Sequence, residues 1–248
     1  DGLAMVEKIV SRNAALPILQ NIVLKTENGR LKLSSTNLEI GINFWLGSKI
    51  EEEGEIAVPA RIFSDFINNI KDEKITLKSK ENILSVNSSN YQTKIIGFSA
   101  KDFPIIPQTK EKTFNTVETC ELFNLFSTVI DAAALSDTRP ELAGILVNFL
   151  PETIEAAATD SFHLAEKVLN KRNRATKNVI IPRQTAQELI RALSGWDGQV
   201  SLIISENQIF FVSPDWEVVS RLIDGHYPDY KKIIPEKWLS RVLINKKD

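Results

Sequence analysis

The sequence predicts an α+β fold in which one module is written twice, each copy with two helices on one side and antiparallel sheets on the other. The first observation is a constant spacing: Pro17 and Pro140 stand 123 positions apart, and so do Leu19 and Leu142, Ile22 and Ile145, Thr36 and Thr159, and Pro59 and Pro182. A second is a pair of helical stripes, each opening just after a proline. The third is a series of short alternating segments punctuated by turn residues, the pattern of antiparallel strands.

In the first copy, residues 2–12 read as an amphipathic helix running into the proline segment. Strand Ile18–Thr26 follows and ends at Glu27-Asn-Gly-Arg30, where Asn-Gly is a strong hairpin signal. Leu31–Ser35 and Glu39–Leu46 alternate as strands, and Ile50–Val58 runs into Pro59. The next segment is apolar at positions 62, 63, 66, 67 and 70, a helical face with proline just outside its start. Strands Lys74–Ser79, Ile83–Ser88 and Gln92–Phe98 lead to Lys101–Pro107, and Gln108–Lys112 reads as a polar linker.

The second copy repeats this order. An alternating strand over 113–120 precedes helix 121–135, strands Leu142–Leu150, Ile154–Thr159 and Phe162–Leu169, and a basic loop, Lys171–Lys177. Val179–Ile181 ends at Pro182, helix Gln184–Leu193 follows, and Val200–Ile204, Gln208–Val212 and Glu217–Ile223 complete the strands before His226–Pro235. Each unit thus has about eight strands in the order β-α-β-β-β taken twice. Pro104 answers to Pro228 at a spacing of 124, one insertion later. Extrapolated to both ends, the spacing divides the chain into 1–112, a module short of its first strand, 113–236, a whole module, and 237–248, the start of a third. Trp238–Asn245 is expected to be that third module's opening strand.

The composition is 43% hydrophobic and 25% charged, near the usual values for a globular protein. No apolar run approaches the roughly 20 residues that span a bilayer, so no membrane role is expected. A net charge of −2 gives no overall attraction to nucleic acid, and any such contact must rest on local charge. The single cysteine, Cys120, fits a reducing cytoplasm and reads as a small core residue in a strand. With two histidines, no glycine-rich phosphate loop and no metal-ligand spacing, the sequence points away from an enzyme and calls for no cofactor or metal. The chemistry that stands out is the bend at Thr159-Asp-Ser161, inside Ala158–Ala165. It is either a plain hairpin over a satisfied core or, beside Leu142, Leu164 and Ile233, the polar lip of an apolar pocket.

Several stretches, in order along nearly the whole chain, resemble the bacterial beta sliding clamp, the processivity subunit of DNA polymerase III. They are Leu16-Pro-Ile-Leu19 with Asn21, Val58-Pro-Ala-Arg61, Asp102-Phe-Pro104, Thr138–Leu146, Ala158–Ala165, and Tyr227-Pro-Asp-Tyr230 with Ile234-Pro235. The resemblance implies tandem DNA-clamp domains in a non-catalytic, cytoplasmic, nucleoid-associated accessory subunit. Its full-length chains form a head-to-tail homodimeric ring around double-stranded DNA. It further implies a cleft that docks peptides of the polymerase catalytic subunit, the clamp loader and other clamp-binding-motif proteins. Carried over by motif, this half of the cleft comprises Leu142, Thr159, Ser161, Phe162, His163, Leu164, Pro228, Lys232 and Ile233. Leu142, Leu164, Pro228 and Ile233 are expected to receive an apolar anchor, with Thr159 and the backbone near Ser161 bonding an extended peptide. Family members often carry Arg where this chain has His163, which makes any charged contact there pH-dependent. Expected DNA contacts are Lys8, Arg61, Arg183 and Arg191 on helices and Arg12 and Arg139 on loops. A second reading is a tandem peptide-binding adaptor that closes no ring. The chain by itself is expected to be monomeric or weakly associated, because its interface edges are unpaired.

Overall fold

Local chemistry sets the helix starts. In the computed structural model, which describes residues 2–10, 16–136, 138–235, 237 and 239–245, helices α2 (Ala60–Asn69) and α4 (Arg183–Leu193) begin immediately after Pro59 and Pro182. Proline fixes φ for helix entry, and the amide it lacks could not have bonded within the first turn anyway. Helix α3 (Thr119–Val129) starts on a capping box: Glu118 accepts from a backbone N–H, and Glu121 accepts from the Glu118 N–H at 3.3 Å. That box corrects the expectation for Cys120, which lies in the first turn of α3 and is exposed, not in a core strand. Helix α1 spans Gly2–Ile9; of the rest of the expected helix, Val10 forms a bend and residues 11 and 12 lie outside the described residues.

The strands follow the alternating segments with shifted ends. In the first module they are β1 (Asn21–Glu27), β2 (Arg30–Thr36), β3 (Ile40–Gly47), β4 (Glu55–Pro59), β5 (Thr76–Lys80), β6 (Ile83–Asn87) and β7 (Gln92–Ile96). In the second they are β8 (Asn115–Glu118), β9 (Gly144–Phe149), β10 (Thr153–Thr159), β11 (Leu164–Asn170), β12 (Lys177–Pro182), β13 (Gln199–Ile204), β14 (Gln208–Val212) and β15 (Trp216–Arg221). The expected order holds in the second module, β8-α3-β9-β10-β11 followed by β12-α4-β13-β14-β15. Pro17–Gln20 form a 3-10 turn where the sequence suggested the start of a strand, because proline donates no ladder hydrogen bond. Residues 239–245 form no strand in the described structure, so the expected strand has no ladder here; Trp238 lies outside the described residues.

Among the described residues these strands form three sheets, all pairing antiparallel: one of eight strands (β4-β1-β2-β3-β15-β14-β13-β8), one of four (β11-β10-β9-β12) and one of three (β5-β6-β7). The eight-stranded sheet crosses from one module to the other where β3 pairs with β15, Phe44 opposite Trp216 and Asn43 opposite Glu217. Two backbone bonds bracket this joint, Trp45 N–H to Asp215 O at 2.8 Å and Arg221 N–H to Glu39 O at 3.0 Å. On the helix side, α1 contacts both α2 and α4, and α4 contacts α3, so the four helices form one continuous row. Between the layers lies one apolar core running through both modules, with Ile22, Ile42 and Phe63 from the first and Phe126, Phe211 and Trp216 from the second.

Equivalent residues are 123 apart as far as β4 and β12. Beyond the second helix the distance is 125, because the pairing Ile83–Ile96 corresponds to Gln208–Arg221. On this equivalence β11 answers to β3, and β7 answers to β15. Each is the outermost strand of its own sheet.

Candidate functional site

Most residues expected to form the cleft converge at the start of β11, where a short side-chain network shapes the turn 159–163. Thr159 Oγ1 donates to His163 O at 2.6 Å and accepts from Ser161 N–H at 3.1 Å. Asp160 Oδ1 accepts from the amides of Phe162 and His163 at 2.8 and 2.6 Å. Ser161 sits at φ 79°, a left-handed conformation that only a tightly bonded turn holds in a non-glycine residue. The first module has the same turn at 36–40. There Thr36 bonds Ile40 O at 2.8 Å, Asn37 accepts from the amides of Glu39 and Ile40, and Leu38 sits at φ 78°. Duplication therefore extends to individual hydrogen bonds.

Four positions differ between the two turns, and two of the changes, Asp160 for Asn37 and His163 for Ile40, bring new polar chemistry side by side. Together they create an acid–imidazole contact, Asp160 Oδ2 to His163 Nδ1 at 2.9 Å. The His163 contact and the two amides hold the Asp160 carboxyl far below the usual carboxylate range. The His163 side chain is 78% exposed, so the pair faces solvent.

Below the turn is a small satellite core of Leu142, Leu146, Ala157, Ile180, Tyr227 and Tyr230, with Leu164 packed at its margin. Here the structure modifies the sequence expectation. Leu142 is 3% exposed and forms the floor, while half-buried Leu164 is the aliphatic side chain at the rim. Two tyrosines that sequence reasoning passed over brace the site. Thr159 N–H donates to Tyr227 Oη at 3.0 Å, and burial pushes the Tyr227 phenol upward. Tyr230 Oη donates to Glu166 Oε1 at 2.5 Å; burial first, then Glu166, raises its phenol as well. The Tyr-Pro-Asp-Tyr motif named these residues, but their spacing gave no sign that both hydroxyls reach back to β10 and β11.

The remaining cleft residues form an exposed shelf. Phe162 is 91% exposed and Ile233 65%, large apolar side chains held in water by the turn and by a 3-10 segment at Tyr230–Ile233. Pro228 is exposed, and Lys232 Nζ reaches Asp229 at 2.9 Å, which raises the Lys232 ammonium and lowers the Asp229 carboxyl. Lys231 bonds Glu155 at 2.8 Å and lies 3.9 Å from Glu166. The arrangement is an apolar floor with exposed aromatic and aliphatic side chains above it and a row of backbone groups beside it.

The expected DNA-contacting cations are dispersed. Lys8 is exposed near the α1–α4 seam, where Arg191 Nη1 bonds Glu188 at 2.6 Å. Burial pushes the Glu188 carboxyl up against the opposing pull of Arg191 and Lys8. Arg61 is 90% exposed and 3.7 Å from Asp65. Arg183 is half-buried, its Nε donating to Ile130 O at 3.3 Å, so it serves the fold as well as the surface. Arg139 is exposed in the loop before β9, and Arg12 lies outside the described residues. Among the described residues no helix is long and apolar enough to cross a membrane.

Comparison with known proteins gives a consistent answer. Residues 1–107 match the family model of the DNA polymerase III beta subunit N-terminal domain, and residues 116–229 match that of its central domain. The beta sliding clamp of Staphylococcus epidermidis is 28% identical over 253 residues, covering 97% of this chain and 67% of that protein. The crystal structure of the DNA polymerase III subunit beta from Pseudomonas aeruginosa superposes with a TM-score of 0.90 at 28% identity, covering 96% of this chain and 66% of that one. A structure of the Pseudomonas aeruginosa sliding clamp bound to griselimycin gives 0.88 at 28% identity, covering 95% and 65%. The chain thus spans about two thirds of the length of the proteins it matches. On the matches of these two successive domains, and on the fold they share, the chain belongs to the family of the bacterial DNA polymerase III beta subunit, the beta sliding clamp.

Proposed function

We propose that this chain supplies the first two domains of a sliding clamp, a ring that encircles duplex DNA and holds the replication polymerase on it. The carrying observation is the β3–β15 joint. It is heterologous, since one module offers a β3-type edge and the next a β15-type edge. The same two kinds of edge lie open at the ends of the row, β7 and β11. Repetition of such a joint with constant rotation closes a ring. The helix row then lines one side, and Lys8, Arg61, Arg139, Arg183 and Arg191, with Arg12, attract phosphate diffusely enough to permit sliding. Residues 237–248 begin a third module in this reading, and the module limits are 1–112 and 113–236.

The site at β11 docks the polymerase, the clamp loader and other clamp-binding-motif proteins. Leu164, Pro228 and Ile233 over the Leu142 floor take an aliphatic anchor, and Phe162 and the open backbone beside Thr159, Ser161 and His163 take an extended peptide. Lys232 favours an acidic neighbour in that peptide. The griselimycin-bound relative supports a ligand-binding surface in the family. No residue is assigned a catalytic role. The test uses the full protein in which this chain stands, loaded on circular DNA: a ring is retained at high salt and lost on linearisation. An adaptor that binds peptide without encircling DNA shows no such dependence on topology.

A further inference from the structure

The segment that carries Lys232 and Ile233 is tied to the strands beneath it by the two residues that precede them. Tyr230 Oη donates to Glu166 on β11 at 2.5 Å. Lys231 Nζ donates to Glu155 on β10 at 2.8 Å and lies 3.9 Å from Glu166. Because Ala157 pairs with Glu166 and Glu155 with Val168, the two carboxylates are diagonal neighbours on the outer face of the sheet. One ammonium thus spans two like charges that would otherwise repel. The Glu155 side chain is 12% exposed, so water offers its carboxylate little in place of Lys231. The hydrogen bond to Glu155 raises the Lys231 ammonium, which also sits 5.9 Å from the centre of the Tyr230 ring.

The fold itself does not call for this network. At the equivalent strand positions the first module has Lys32 and Asn43, and at the spacing of 124 its closing segment has Ile106-Pro107 in place of Tyr230-Lys231. Lys32 pairs with Glu27 at 3.1 Å and Asn43 accepts from Ser34 at 2.7 Å, so those strand groups are satisfied within their own sheet. The tie to the closing segment belongs to the module that carries the exposed shelf. Lys232 differs from its neighbour. Its side chain is 82% exposed and bonds Asp229, three positions back in the same segment, which fastens nothing to the sheet.

We infer that Lys231 is a positioning residue of the docking site: it holds the 230–233 turn against β10 and β11, so that Lys232 and Ile233 stand where a peptide meets them, and it does not itself touch the peptide. The inference rests on the docking reading given above. Without the ammonium, Glu155 and Glu166 face each other beneath a turn still fastened through Tyr230, and binding must first reorder the side chains that the turn presents.

The test uses the full protein in which this chain stands and two labelled peptides with the same leucine anchor, one with glutamate beside it and one with glutamine, followed by fluorescence anisotropy. Lys231→Met should weaken both peptides by the same factor, roughly fivefold to tenfold, the cost of ordering one or two side chains on binding. Lys231→Arg should bring both affinities back to within about twofold, since a guanidinium also bridges carboxylates. Lys231 is exposed, and unchanged circular dichroism verifies folding. A loss confined to the glutamate peptide marks a direct charge contact and overturns the inference, as does unaltered affinity for both or a deficit that arginine does not repair. Failure of both peptides to bind the wild-type protein is a separate outcome: it removes the docking reading, and the inference falls with it.

Discussion

Leu142→Ala and Leu164→Ala separate floor from rim at the candidate docking site. Leu142 is 3% exposed among Leu146, Ala157, Ile180, Tyr227 and Tyr230. Truncating a buried leucine costs about 2–5 kcal/mol, the upper end requiring a rigid cavity. This cluster is small and lies near the surface, so it can partly collapse, which places the expected loss at about 2–3 kcal/mol. Leu164 is half-buried, and its truncation should cost less than about 1.5 kcal/mol of stability. Binding should rank the other way. Losing a rim anchor weakens a docked peptide by about 1–2 kcal/mol, roughly tenfold or more, whereas losing the floor acts only by loosening the turn. Urea unfolding followed by circular dichroism gives the first quantity, and fluorescence anisotropy with a labelled clamp-binding peptide gives the second. If Leu142→Ala leaves stability within about 1 kcal/mol while abolishing peptide binding, the assignment of Leu142 to the floor is wrong.

Other predictions follow from the same geometry. Tyr227→Phe strands the buried Thr159 amide and should cost about 1–3 kcal/mol, read as a lower urea midpoint at unchanged slope. The depressed Asp160 carboxyl stabilises the turn above the ordinary carboxylate range, and that contribution is lost as pH falls through the lower folded value. Asp160→Asn should keep the turn, as Asn37 does in the first module, and abolish this acid dependence, measurable from the His163 amide shift during an NMR titration. Arg191→Ala leaves Glu188 half-paired at the seam, where its side chain is 10% exposed. Because burial raises the Glu188 carboxyl, its ionised form is the strained one. The destabilisation, about 1–2 kcal/mol after discounting for the exposed arginine, should therefore be larger at pH 7 than at pH 5.

The parts of the fold that depend on local chemistry could be read from the sequence. Pro59 and Pro182 marked two helix starts, Asn28-Gly29 marked a hairpin, and Thr159-Asp160-Ser161 marked a tight bend, because each acts on its own backbone. The repeat was legible because the two modules solve one packing problem with the same residues at Leu19 and Leu142 and at Thr36 and Thr159. What escaped is set by partners distant in sequence. Whether Leu142 faces a pocket or supports it depends on Tyr227 and Tyr230, more than eighty positions on. The strand through Cys120 was a plausible alternation that lost to a capping box between Glu118 and Glu121. Arg183 and Arg191 looked like free helix cations, but Ile130 O and Glu188 engage them.

The central claim is that the open edges β7 and β11 are joints of the kind already closed between β3 and β15. Hydrogen exchange measures it at single amides. At the internal joint, the amides of Trp45 and Arg221 donate across it. Their counterparts are Val168 and Ile96. In the dilute 248-residue chain these two should exchange much faster than Trp45 and Arg221, and in the full assembled protein all four should be comparably protected. Val168 and Ile96 remaining fast in the assembled protein would contradict the account, since both edges would then be open in the finished particle.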